Sequence, residues 1–223
     1  MNKFGVLKTL GCLLLSLPLS GCTNPFGGRS YEEDPWFLGF CAPAYMEVWI
    51  ETADVLDING RLTRRAGSGI TSMQEWPNFK ANPKGWVSCN GGGAGRHVRG
   101  ADLPREIYVR WQSLAEPQTY YAYIPIPESA REIMRKGEPN TYCGGTGETI
   151  TEYRDNLGIG LAPGGIIKVW LGAPCLKAVE IMRLQGKIIE EGPYMGESNG
   201  KYRPLSKVPK AYVDKFGIPY GSW

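Results

Sequence analysis

The residue best placed for covalent chemistry is Cys22, which closes a short apolar segment near the start of the chain. It follows Leu19-Ser20-Gly21, and small side chains beside the cysteine suit a peptidase that cuts just before it. The apolar core from Leu10 to Leu19 is too short to cross about 30 Å of hydrocarbon as a helix. We therefore expect residues 1–21 to be a lipoprotein signal peptide and the Cys22 sulfur to carry a diacylglyceryl group.

A lipid on Cys22 would make this protein membrane-anchored. Each buried methylene contributes roughly 0.8 kcal/mol, so one chain holds reversibly, whereas two or more, for example with palmitate, make a lasting anchor. The next residue, Thr23, is not acidic, which favours the outer membrane of a Gram-negative bacterium. We expect a lipid-anchored, periplasm-facing protein of that membrane. The alternative is an ordinary secretory signal that contains a cysteine.

Four cysteines follow the expected anchor and could form disulfides: Cys41, Cys89, Cys143 and Cys175. An even number in an oxidising compartment predicts disulfides. Three pairings are open and the sequence does not choose among them, so Cys41–Cys89 and Cys143–Cys175 serve as our working prediction. Free buried thiols are the alternative. A metal site is disfavoured because no two cysteines stand two residues apart, and we expect no cofactor.

Enzyme chemistry finds little support. His97 is the single histidine and hence the only candidate base for a serine nucleophile, and no Gly-x-Ser-x-Gly motif is present. The run from Gly91 to Gly95, which leads into Arg96, His97 and Arg99, leaves two interpretations open: an anion-binding cradle or a tightly turning loop. We therefore expect no catalytic activity and no catalytic, metal or cofactor residues.

The charge balance argues against nucleic acid as a partner. The chain has 25 basic and 22 acidic residues, and two of its lysines lie in the expected signal peptide, so the mature protein would be close to neutral. Binding to phosphates along a nucleic acid is driven by counterion release, which needs an excess of positive charge.

The remaining chain divides into a tether and one domain. Residues 22–35 are polar and turn-rich, without a periodic apolar face, and are expected to form a flexible tether. Residues 36–223 then form a single mainly-β domain with an irregular C-terminal tail.

Alternating side chains are the main signal for secondary structure. In the stretch 105–114, Ile107, Val109 and Trp111 share one face, whereas the other face carries Tyr108, Arg110 and Gln112. Strands are expected at 36–41, 47–58, 61–65, 105–114, 119–126, 152–161, 166–171 and 176–184, although a helix remains open for the last. Residues 66–104 are expected to be loop, and short helices to lie between Pro127 and Gly137 and at 209–216. Many short strands favour an antiparallel β-sandwich-like domain with one or two short helices.

The domain is rich in tyrosine and tryptophan, which suit recognition because their rings bury much area with few torsions to freeze. The candidates for a solvent-facing partner surface are Tyr120, Tyr121, Tyr123 and Trp170. The alternative is that these rings pack the second sheet of the sandwich.

Several motifs between Trp36 and Gln185 are distinctive as a set. They are Gly91-Gly92-Gly93-Ala94-Gly95-Arg96, Ala101-Asp102-Leu103-Pro104, Tyr108-Val109-Arg110-Trp111-Gln112-Ser113-Leu114, Ile124-Pro125-Ile126-Pro127-Glu128, Gly160-Leu161-Ala162-Pro163-Gly164-Gly165 and Lys168-Val169-Trp170-Leu171. Together they resemble the bacterial lipoprotein family designated domain of unknown function 2931. None of the motifs is catalytic, the family brings no established active site, and the tail after Gln185 is not covered.

The resemblance implies a periplasm-facing lipoprotein, and members of the family resemble, in gene setting, immunity proteins encoded beside type VI secretion phospholipase effectors. We therefore expect a membrane-anchored binding protein that neutralises a lipase effector. The alternatives are an envelope structural or maintenance lipoprotein without a toxin partner and an enzyme acting on cell-wall or lipid substrates.

Overall fold

A computed structural model describes residues 30–31, 33–72, 77–86, 88–141, 145 and 147–223. The expected signal peptide, the acylation candidate Cys22, most of the tether and Cys143 lie outside this range. No helix among the described residues is long and apolar enough to span a bilayer.

The described chain folds mainly into strands. They are β1 (Trp36–Cys41), β2 (Val48–Asp57), β3 (Leu62–Thr71), β4 (Gly93–Val98), β5 (Pro104–Ser113), β6 (Gln118–Pro125), β7 (Glu138–Asn140), β8 (Ile150–Glu152), β9 (Asn156–Ala162), β10 (Ile166–Gly172), β11 (Val179–Gln185) and β12 (Lys187–Ile188), with helices α1 (Glu128–Arg135) and α2 (Lys207–Phe216). The mainly-β fold with two short helices is confirmed.

Two five-stranded sheets enclose the core. Sheet A has the order β11-β10-β9-β1-β4, and sheet B has the order β12-β6-β5-β2-β3. Neighbouring strands are antiparallel except β1 and β9, which pair in parallel, so sheet A is mixed rather than purely antiparallel. Alternate side chains of each sheet point inward. The largest of those that are fully buried include Trp36, Phe40, Ile50, Ile107 and Trp111.

The two sheets are joined along both sides. On one side a single extended segment passes from β11 through Gly186 to β12, leaving sheet A to pair with β6 of sheet B. A Cβ on Gly186 would lie 2.5 Å from the Trp111 ring, so only glycine fits at this crossing. On the other side β3 lies against β4, where a Cβ on Gly67 would lie 3.2 Å from the carbonyl oxygen of Ala94.

Most of the predicted elements are confirmed, and within the predicted range 176–184 the chain forms a strand rather than a helix, β11, which begins only at Val179. The prediction of loop over 66–104 is wrong in part, because β3 continues to Thr71 and β4 forms at 93–98. Glycine in these strands marks close backbone packing instead of a turn: a Cβ on Gly95 would lie 2.1 Å from the Leu38 carbonyl oxygen. The strand predicted at 152–161 is divided into β8 and β9.

The outer face of sheet A is covered by Trp86 and the loop of residues 88–92. A Cβ on Gly158 would lie 2.3 Å from the Cys89 carbonyl oxygen, so this glycine lets the loop lie flat on the sheet. The predicted disulfide between Cys41 and Cys89 is present and ties the loop to β1. Cys175 is also disulfide-bonded, whereas its predicted partner, Cys143, lies outside the described residues.

Replacing Cys41 and Cys89 together by serine should lower the free energy of unfolding by about 4 kcal/mol, because the bond closes a long loop in the unfolded chain. The two residues are 48 positions apart. Chemical denaturation followed by tryptophan fluorescence measures the change. Ser88→Ala, at an exposed position beside Cys89, is the control and should leave the midpoint in place. An unchanged midpoint for the double variant would show that the loop is held without the bond.

Candidate functional site

The outer face of sheet B carries its polar and aromatic side chains in rows across three strands. One row joins Thr52, Arg110 and Tyr121, which are paired across β2, β5 and β6. The next row joins Asp54, Tyr108 and Tyr123 in the same order. These rows are the outward half of the alternation whose inward half forms the core.

A bulge in β2 adds a buried ion pair to this face. Ile50 pairs with Trp111 and Thr52 with Arg110, so Glu51 is an extra residue between two registered pairs. Its Oε2 atom lies 2.5 Å from the Arg110 Nε atom, and both side chains are only 6% exposed. Such a pair is stable only when further hydrogen bonds satisfy the remaining polar atoms.

The C-terminal strap, residues 192–206, supplies those hydrogen bonds. Arg110 Nη2 donates to the Gly192 carbonyl oxygen at 2.9 Å, and the Tyr194 N–H donates to Glu51 Oε1 at 2.9 Å. Gln112 Nε2 also donates to Glu51 Oε1, at 2.8 Å. The strap therefore crosses one half of the outer face and is held there by buried charges.

Three further contacts hold the second part of the C-terminal strap. The Arg203 N–H donates to Gln112 Oε1 at 3.0 Å, and the Arg203 guanidinium stacks 3.6 Å from the centre of the Trp49 ring. The Ser206 N–H donates to the buried carboxylate of Glu47 at 2.8 Å. Side chains on or beside β2 and β5 thus hold the backbone of the strap at both of its ends.

A second aromatic core fixes the chain beyond the strap. The Tyr212 ring of α2 stacks on the buried Tyr45 ring with centroids 4.0 Å apart. Near the end of the chain, Tyr220 donates its hydroxyl hydrogen to Glu116 Oε2 at 2.8 Å, and Trp223 Nε1 donates to the Pro83 carbonyl oxygen. Burial and the Glu116 carboxylate raise the pKa of Tyr220 to about 12. The hydroxyl therefore stays a donor at physiological pH.

The other half of the outer face is uncovered and aromatic. The Tyr108 ring lies 5.0 Å from that of Tyr123 and 6.4 Å from that of Tyr121, measured between centroids. Tyr123 is 59% exposed, and Leu62 of β3, which pairs with Leu56, is exposed beside them. We name this surface the open aromatic face; it consists of Tyr108, Tyr121, Tyr123, Leu56 and Leu62. Burial raises the pKa of Tyr108, against the lowering effect of Arg110, so its hydroxyl is neutral.

Polar groups border the open aromatic face. Two shallow grooves share Asp54: one runs toward Glu106 and Tyr123, and the other toward Arg64 and Arg65. Asp54 Oδ1 accepts the Arg65 N–H at 2.8 Å and the Thr52 hydroxyl hydrogen at 3.1 Å. Asp54 thereby stabilises Arg65, which has a φ of 52°. An apolar centre with a polar border is the usual composition of a protein contact surface.

The four aromatic residues proposed from the sequence do not share one surface. Tyr121 and Tyr123 belong to the open aromatic face. Tyr120 is only 5% exposed and stacks on Trp111, because strand alternation turns it toward the core. Trp170 is 4% exposed, because the Trp86 ring covers it at a centroid distance of 5.4 Å. Tyr108 completes the cluster, and the alternation of β5 already placed it on the outer face.

The remaining candidate for chemistry, His97, lies exposed on β4. Its ring contacts the edge of the Phe37 ring at a centroid distance of 5.2 Å. In the described part of the chain no carboxylate or hydroxyl is hydrogen-bonded to it, and no group of three or more His, Cys, Asp or Glu residues is placed to hold a metal ion. The geometry around His97 therefore offers no catalytic triad.

Comparison with known proteins gives one match. A family model described as "Protein of unknown function (DUF2931)" matches residues 23–221. The match extends past Gln185, where the resemblance seen in the sequence ended, and so includes the C-terminal strap and α2. No curated protein and no solved structure matches the chain.

Glu51→Gln should lower the free energy of unfolding by about 3 kcal/mol, because it leaves the Arg110 charge buried without its counter-charge. It should also expose the C-terminal strap to limited proteolysis. Glu128→Gln is the control, since the Glu128 side chain is 55% exposed where it pairs with Arg131 and Arg135, and its loss should change stability little. Equal urea midpoints for Glu51→Gln and the wild type would show that the ion pair does not hold the strap.

Proposed function

We propose, from the fact that this chain belongs to the DUF2931 family, that it is a lipid-anchored periplasmic binding protein that neutralises a type VI secretion lipase effector. The protein acts as a stoichiometric inhibitor and performs no chemistry itself. It covers the entrance to the active site of the lipase at the membrane where the lipase would act.

The observation that supports this proposal best is the open aromatic face. Tyrosine side chains contribute large contact areas while losing few torsions on binding, and they are enriched at the centres of protein interfaces. Tyr108, Tyr121 and Tyr123 lie on the hydrogen-bonded strands β5 and β6, so their positions are fixed before a partner arrives. A preorganised surface loses less entropy on binding than a flexible one.

The lipid anchor makes such an inhibitor more effective. A lipase must reach the membrane to find its substrate, and a tethered inhibitor is concentrated at that surface without any gain in intrinsic affinity. The polar border formed by Asp54, Glu106 and Arg65 supplies hydrogen-bonding groups that select one partner over others.

Replacing Tyr108 and Tyr123 together by alanine should abolish protection against the lipase encoded beside this gene. Two central tyrosines that each contribute about 2 kcal/mol together weaken binding by about 1,000-fold. The measurements are survival of cells that express the lipase in the periplasm and the dissociation constant of the purified pair. Ile188→Ala is the control, because Ile188 is 58% exposed on the same sheet and lies outside the open aromatic face.

Three outcomes of this experiment separate the alternatives. Loss of protection in the double tyrosine variant but not in Ile188→Ala supports the proposal. Equal protection by both variants would show that the contact surface lies outside the open aromatic face. If the wild type itself gives no protection, the immunity proposal is wrong, and an envelope-maintenance lipoprotein becomes the better description.

Cys22→Ser should release the protein from membranes, because the serine cannot carry the thioether-linked lipid. Membranes should first be washed at about 1 M salt, where the Debye length falls to about 3 Å and electrostatic adhesion is screened. Immunoblotting of soluble and membrane fractions measures the change, and mass spectrometry of the wild-type amino terminus reports the acyl group. Retention of Cys22→Ser in washed membranes would contradict the anchor.

A further inference from the structure

Five arginines with exposed side chains lie on or next to the adjacent strands β3 and β4, at one corner of the sandwich: Arg61, Arg64, Arg65, Arg96 and Arg99. We name this group the arginine corner. His97 lies exposed among them. No lysine is present on either strand, so the positive charge here comes from guanidinium groups alone.

The packing of β3 against β4 brings these residues together. Gly93 lies beside Ile70 and Thr71, whereas the next residue, Ala94, lies beside Gly67 and Gly69, so the two strands run in opposite directions. Farther along, a Cβ on Gly100 would lie 3.5 Å from Arg61 Nη1. Extending this register along the two strands brings Arg96 toward Arg65, and Gly100, the neighbour of Arg99, lies beside Arg61. The five arginines therefore lie along one seam between β3 and β4.

The guanidinium groups of the arginine corner have no carboxylate partners in the described part of the chain. Every described ion pair lies elsewhere, on residues such as Arg110, Arg131 and Arg154. The carboxylates of Asp54, Asp57 and Asp102, which lie on this side of the domain, each accept backbone N–H groups. These five positive charges exceed the formal charge of the whole chain, which is only +3.

The expected membrane tether, whose buried Tyr31 donates to the Met134 carbonyl oxygen of α1, leads into β1 at the edge of this corner. Trp36, the first residue of β1, pairs with Val98, which directly precedes Arg99. Trp36 Nε1 also donates to the carbonyl oxygen of Asp102 at 3.3 Å. If Cys22 carries the lipid, only residues 23–35 separate the anchor from Trp36 at the edge of the corner.

We propose that the arginine corner binds the phosphate groups of anionic phospholipids in the anchoring membrane and so holds the domain in one orientation. Guanidinium groups bind phosphate oxygens in a bidentate manner, and each basic residue near an anionic surface adds about fivefold to the binding constant. Leu62 of the open aromatic face lies on the same strand as Arg64 and Arg65. The orientation therefore keeps that face beside the membrane, where the lipase acts.

The biological setting of this inference rests on the proposed function, but its test does not. The mature chain from residue 22 with Cys22→Ser, which lacks both the expected signal peptide and the acyl group, is mixed with vesicles of phosphatidylcholine alone or of phosphatidylcholine and phosphatidylglycerol in equal parts. Binding is measured by co-sedimentation at low and high salt. We expect binding only to the phosphatidylglycerol vesicles, with an affinity that falls as salt rises.

The decisive variant, in the same background, is Arg64→Glu with Arg65→Glu and Arg96→Glu, which should weaken vesicle binding by at least about 100-fold. Its control is Lys187→Glu with Lys201→Glu and Lys207→Glu, which makes the same change in net charge at exposed positions outside the corner. A third variant with lysine at positions 64, 65 and 96 keeps the charge but loses bidentate binding, so its affinity should fall between the two. Thermal unfolding checks that all variants are folded.

Several results would overturn the assignment. These are equal affinities of the wild type for the two kinds of vesicle, equal losses in the arginine and lysine variants, and tighter binding of a single-stranded DNA oligonucleotide than of the vesicles. Displacement of the protein by millimolar glycerol phosphate would point to a free phosphate ligand and would also overturn it. Because the assay contains neither a lipase nor an acyl anchor, a failed immunity experiment leaves its outcome unchanged.

Discussion

The outer face of sheet B depends on the buried ion pair between Glu51 and Arg110. Removing two charges from water is costly, and the cost is offset here because Gln112 and the backbone of Gly192 and Tyr194 satisfy the remaining polar atoms. The same hydrogen bonds fix where the C-terminal strap crosses the sheet. The strap in turn limits the open aromatic face, so one bulge in β2 determines which tyrosines remain accessible.

The sequence pattern predicted which face of a strand each side chain occupies, because strand alternation alone determines this. The period of β5 placed Tyr108 opposite the core residues Ile107 and Val109, and that of β6 separated Tyr121 and Tyr123 from Tyr120, so the prediction that Tyr120 shares their surface was wrong. The pattern could not reveal which outward side chains are covered, because the covering segments are remote in sequence. The Tyr194 N–H meets Glu51 across 143 residues, and the Trp86 ring meets Trp170 from a different part of the chain. Burial of Trp170 is therefore a property of the assembled sheets.

The prediction missed β4 for a related reason, which concerns its glycines. The glycine-rich run before Arg96 reads as loop because glycine has weak strand propensity. In the folded protein Gly95 faces the Leu38 carbonyl oxygen too closely for any side chain, and a Cβ on Gly67 would lie 2.5 Å from the Phe40 ring. The propensity of the residue is outweighed by the space that two adjoining backbones leave. The need for glycine at these positions can be recognised only when the neighbouring strand is known.

The two surfaces next to β3 act over different ranges. Aromatic contacts operate only when rings touch a partner, whereas the unpaired charges of the arginine corner act over about 8 Å at physiological ionic strength. A charged corner can therefore orient the domain before a contact surface is engaged. Because β3 carries Leu62 together with Arg64 and Arg65, orientation by the charges also sets the direction in which the open aromatic face points. Such coupling requires no conformational change, since Arg64 and Arg65 lie on the same hydrogen-bonded sheet as the open aromatic face.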